Sequence, residues 1–65
     1  MYFVVQTYDD KGKVTAIITD NPDFKGFEQK NETMWVKEDI LFDCYIDAFE
    51  NKREAEKFRK DALMA

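Results

Sequence analysis

Residues 40–50 read Ile40-Leu41-Phe42-Asp43-Cys44-Tyr45-Ile46-Asp47-Ala48-Phe49-Glu50, and they run directly into Asn51-Lys52-Arg53-Glu54. Two periodicities fit the first part. At period two, Phe42, Cys44, Ile46 and Ala48 form one face, and Asp43, Tyr45, Asp47 and Phe49 form the other. At helical period, Leu41, Cys44, Tyr45 and Ala48 line up instead. Two features favour a strand. The stretch is aromatic and β-branched. Asn51, followed three residues later by Glu54, is an N-x-x-E capping box just before the helix-favouring KREAEKFRKDALMA. A helix running from 38 through 51 would waste that cap. The expected joint is strand, cap, then a helix over 52–63. That helix carries Ala55, Phe58 and Ala62 on one stripe, with Leu63 at its margin. The stripe is narrow and mostly small, so the helix can sit close on a sheet with Phe58 as its main anchor.

Working back towards the N-terminus, residues 2–8 (YFVVQTY) and 14–20 (VTAIITD) are β-rich, and DDKGK at 9–13 is a turn signal between them. A turn with Gly12 at the bulge pairs Asp9 with Lys13. This register places Tyr2, Val4 and Tyr8 on one face with Val14, Ala16 and Ile18. Phe3 and Val5 share the other face with Ile17, among Thr7, Thr15 and Thr19. Residues 20–33 hold the only Pro and Gly26, and read as loop. Phe24 and Phe27 are apolar pegs within it that anchor the loop on the sheet. Trp35 and Val36 read as a short extended piece. The expected fold is α+β in a single domain over 1–65. It has β-β-loop-β-α order, a small antiparallel sheet of three to four strands, and one C-terminal helix packed on one face.

A chain of 65 residues is at most one small domain, and it buries only about 60% of the surface that its unfolded chain exposes. Its composition is 45% hydrophobic and 15% aromatic, enough for a core. The chain has no His and no Ser, and Cys44 is its one cysteine. Neither a Ser-His-Asp nor a Cys-His site can be built from it, nor a His-ligated metal site, and no intrachain disulfide can form. A single free thiol fits a reducing compartment, and no signal peptide or transmembrane segment is visible, so a cytoplasmic location is expected. Net charge is −4, unevenly distributed. Residues 1–50 hold 11 acids and 5 Lys, whereas residues 51–65 hold 3 acids and 5 basic residues. An acidic body argues against direct binding of a phosphate backbone.

The carboxylates of Glu38, Asp39, Asp43, Asp47 and Glu50 crowd one stretch. Asp43 and Asp47 share a face on a strand but lie four residues apart, roughly 13 Å, too far to share one small metal. Asp20, Asn21 and Asp23 lack the spacing and closing Glu of a calcium loop. No nucleophile–base pair can be named, so no catalytic, metal-ligating or cofactor-binding residues are assigned. Cys44 reads as a buried, inert thiol. The aromatic residues are interleaved with acids rather than Lys or Arg, which is the wrong sign for stacking nucleic-acid bases.

The two hairpin faces pose the functional question. Both carry large apolar groups, and one helix covers only one of them. Either the 21–36 segment folds over the remaining face with Phe24, Phe27 and Trp35, or a second chain does. The expected function is that of a small acidic, non-catalytic interaction or regulatory protein whose partner is another protein, including a second copy of itself. Its candidate interface is Tyr2, Val4, Tyr8, Ile18, Tyr45 and Phe49. The alternative is an acidic inhibitor that occupies a partner's nucleic-acid-binding surface, with Asp39, Asp43, Asp47 and Glu50 standing in for phosphates. No cofactor, membrane or direct nucleic-acid partner is expected.

Overall fold

A computed structural model describes residues 1–64. Five strands and one helix follow in the order β1 (Tyr2–Asp9), β2 (Val14–Thr19), β3 (Glu28–Asn31), β4 (Met34–Glu38), β5 (Phe42–Phe49) and α1 (Lys52–Met64). The strands form one sheet in the order β2-β1-β5-β4-β3, with every neighbouring pair antiparallel. The fold is α+β, as expected, but the sheet has five strands rather than three or four.

The β1–β2 hairpin has the expected register. Tyr8 pairs with Val14, Gln6 with Ala16 and Val4 with Ile18. At its turn, the Asp9 N–H donates to the Lys13 carbonyl at 3.1 Å, and Asp9 Oδ1 accepts the N–H groups of Lys11 and Lys13 at 2.9 and 2.8 Å. Gly12 takes the left-handed conformation that this turn requires, with φ of 82°. The additional strands lie in and beyond the segment read as loop and short extended piece. β3 is Glu-Gln-Lys-Asn with every residue exposed. It has no apolar alternation because it is an edge strand held by backbone pairing to β4. Asn31 Oδ1 accepts the Thr33 N–H at 2.8 Å and fixes the β3–β4 turn.

The helix begins at its cap. Asn51 Oδ1 accepts the Glu54 N–H at 2.8 Å, so residues 42–49 are strand and the helix starts at Lys52. α1 turns back across the sheet and packs on β2 and β1, barely reaching β5. Val4, Ala16 and Ala55 form the buried centre, with Tyr2, Ile18, Phe49 and Phe58 packed around them. The side chain of Arg59 reaches over the sheet edge, and its Nε donates to the Ala16 carbonyl at 2.8 Å. Ala16 lies on edge strand β2, so this contact occupies an acceptor that a neighbouring strand would otherwise take.

Part of the opposite face is covered by the 20–27 segment, and Ile17 on that face remains 57% exposed. Gly26, with φ of 85°, forms a turn closed by the Phe27 N–H donating to the Phe24 carbonyl at 3.0 Å. This turn sets Phe24 against Trp35 and Phe3, with ring centroids 4.7 and 5.6 Å apart. Ile46, only 1% exposed, pairs with both Trp35 and Val5 on the same side. The aromatic pegs thus anchor the loop to the Phe3/Val5 face, away from the Tyr2/Val4/Ile18 face that the helix occupies. Cys44 is buried on this side, with Sγ 3.6 Å from Thr7 Oγ1.

Because the cap joins β5 to α1, its loss acts on the helix and the sheet together. Asn51→Ala should lower unfolding stability by about 1 kcal/mol in a urea titration, while Asn51→Asp should be close to neutral.

Candidate functional site

α1 covers one half of its sheet face and leaves the other half open. Side chains at paired positions share a face, so the register fixes what lies on the open half. On β5 these are Asp43, Tyr45 and Asp47, opposite Glu38, Val36 and Met34 of β4 and Tyr8, Gln6 and Val4 of β1. Glu28 of β3 joins them through its pairing with Val36. Together with Phe58 of the helix, several of these residues enclose a groove of about 430 Å³, lined by Gln6, Tyr8, Met34, Asp43, Tyr45, Asp47 and Phe58.

The groove has an apolar and aromatic floor with acids set into it. Tyr8 and Tyr45 meet edge to face, with centroids 5.6 Å apart. Asp43 and Asp47 flank Tyr45 along the strand. Glu38 stands directly opposite Asp43, and like charges so placed are destabilising. No Lys or Arg lines the groove. Lys37, the nearest cation in sequence, points to the other face, where its Nζ lies 5.9 Å from the centre of the Phe27 ring. Asp47 sits between Val4 and Met34, and burial raises its pKa above the ordinary carboxylate value. Burial, together with the charges of Asp43 and Glu38 and the neighbouring Tyr8, raises the Tyr45 phenol likewise. Gln6 is only 7% exposed, and its carboxamide makes no side-chain hydrogen bond among the described residues. Its polar atoms open onto the groove rather than being sealed beneath it.

The residues singled out from the sequence fall into two groups. Tyr2, Val4, Ile18 and Phe49 pack beneath the chain's own helix, so that seat is taken from within. Tyr8 and Tyr45 stay open and line the groove. Of the acids, Asp43 and Asp47 are brought together there. Asp39 lies in the β4–β5 turn, where Oδ1 accepts the Ile40 N–H at 2.6 Å, and Glu50 is exposed beyond the end of β5. Asp39 and Asp43 share a small depression beside Tyr8, and Asp43 and Asp47 share the groove. Gln6, Met34 and Phe58 were not anticipated as members, and Glu38, one of the acids crowded in the sequence, stands at the margin opposite Asp43. Only the alternation of Met34, Val36 and Glu38 carried a sequence signal for them. Among the described residues, no group of three potential ligands is close enough to hold a metal ion, and no helix is long and apolar enough to cross a membrane.

No family model, curated protein or solved structure matches this chain. The reading of the groove therefore rests on its own chemistry.

Asp47 offers a direct check. A carboxyl whose pKa is raised on folding is disfavoured as its anion, so its contribution to stability falls as pH rises through the carboxylate range. Asp47→Asn should raise the thermal midpoint at neutral pH. The difference from wild type should vanish in acid, where Asp47 is protonated in both folded and unfolded chains.

Proposed function

We propose that this chain is a small acidic, non-catalytic interaction protein, and that its binding surface is the open half of the helix-bearing sheet face. The supporting observation is the groove itself. Asp43 and Asp47 are held there on an apolar and aromatic floor, with no Lys or Arg among the lining residues. A surface of this kind suits a segment that brings positive charge and apolar side chains together, as a basic amphipathic helix does. The aromatic floor supplies contact area, and the acids supply orientation and on-rate.

The width agrees with that choice. Three strands at about 4.8 Å spacing give a shelf roughly 14 Å across, and a helix with its side chains is about 10–12 Å wide. Nucleic-acid mimicry has less to support it. Asp39, Asp43 and Asp47 follow one another through two adjoining depressions, but Tyr8 and Tyr45 stand among them where a phosphate row would continue. A buried free thiol with no second cysteine suits work in a reducing, cytoplasmic setting.

The reading can be tested by calorimetric titration with a synthetic helical peptide of alternating Lys and Leu faces, about 14 residues long. Saturable binding should weaken at high salt. It should also weaken at least about tenfold in Glu38→Lys/Asp43→Lys, which places like charge in the seam. Circular dichroism confirms that the variant is folded. Absence of binding, or binding that the double variant leaves unchanged, would overturn the assignment.

A further inference from the structure

The helix that covers one half of the sheet face has the charge and shape to cover the other half in a second molecule. Ala55, Phe58 and Ala62 face inward on α1. Arg53, Lys57 and Lys60 are spaced i, i+4, i+7 and form one stripe on the opposite side, and all three are exposed. Met64 continues that stripe one turn further and is 73% exposed. The outward side of the helix is thus basic with an apolar end, while the vacant half-face beside it is acidic with an apolar floor.

The surface area points the same way. The chain exposes 4970 Å², about 600 Å² more than the roughly 4,400 Å² expected of a folded monomer of its mass. That excess approaches the ~800 Å² that each partner contributes to a standard interface. The molecule is a plank, 17 Å through its thinnest dimension, because its second layer is only half filled.

We infer that the occupant of the open half-face is α1 of a second copy of this chain, docked about a two-fold axis that runs between two facing sheets. This rests on the reading of the open half-face as the binding surface and names its partner. Each sheet carries its own helix on the β2–β1 half. A two-fold axis lying between the sheets, along the strands, brings the partner's helix over the β5–β4–β3 half. The two helices then fill one shared layer. Arg53, Lys57 and Lys60 of each copy face Glu38, Asp43 and Asp47 of the other. The Tyr8–Tyr45 pair and the unpartnered Gln6 carboxamide lie beneath. The contact is made twice, and it closes on itself.

Charge exchange between two variants provides the test. Sedimentation across a dilution series should give wild type twice the 7.8 kDa chain mass, returning to monomer at high salt. Glu38→Lys/Asp43→Lys alone should be monomeric, because its groove and its helix are both basic. Lys57→Glu/Lys60→Glu alone should be monomeric, because both are acidic. An equimolar mixture should recover the doubled mass, since both groove–helix contacts are then complementary. Circular dichroism before mixing establishes that each variant is folded. Wild type that stays monomeric at the highest concentration, or variants that dimerise separately, would overturn the second copy as occupant. If the Lys/Leu peptide still binds such a monomer, the open half-face stands as the binding surface and only its partner is wrong. If neither association occurs, both readings fall.

Discussion

Ala55 lies on Val4 and Ala16 with no side chain large enough to hold the helix away, and all three are buried. That contact sets the depth and the position of α1. The capped joint at Asn51 starts the helix at the end of β5, and β5 pairs with β1, so the chain must cross back over β1 towards β2 to bring Ala55 onto Val4. A helix seated there cannot also shelter β4 and β3. The uncovered half-face follows from connection length and from one small residue meeting another. The Phe3–Phe24–Trp35 cluster completes the arrangement by closing part of the opposite side with a loop rather than a second helix.

Much of this was legible in the residues. Gly12 and the two β-rich runs carried the hairpin and its register, because a bulged turn leaves few pairings that keep both strands alternating. Asn51 and Glu54 separated strand from helix in a stretch where periodicity alone could not. β3 was invisible for a physical reason. A fully exposed edge strand buries nothing, so Glu28, Gln29, Lys30 and Asn31 bear no hydrophobic signature, and their pairing is stated only by the backbone. The choice of face was also beyond reach. Tyr2, Val4 and Ile18 on one side and Phe3, Val5 and Ile17 on the other are equally apolar, and only packing decides which receives the helix. Asp43 and Asp47 could be placed on one face from their spacing. Glu38, Gln6, Met34 and Phe58 joined them through cross-strand register and through the helix's return path, which are tertiary facts.

The groove is where local stability and global fold disagree. Glu38 faces Asp43, and Asp47 is desolvated between Val4 and Met34. Elsewhere the chain is consistent across levels, from turn chemistry at Asp9 to capping at Asn51. Conflicts gathered in one concavity are the pattern expected where a surface is shaped for something other than its own stability.

The contact from Arg59 to the Ala16 carbonyl also bears on how the protein behaves at high concentration. A flat, aromatic-rich sheet with two free borders is a template for lateral growth, strand upon strand, into fibres. Here one border has a carbonyl occupied by a guanidinium from the chain's own helix. The other is a four-residue strand whose Glu28 and Lys30 pair at 3.3 Å and project charge into solvent. Both margins thus carry features that disfavour lateral growth. Margins guarded in this way let a small domain keep an unfilled face with less tendency to seed aggregation.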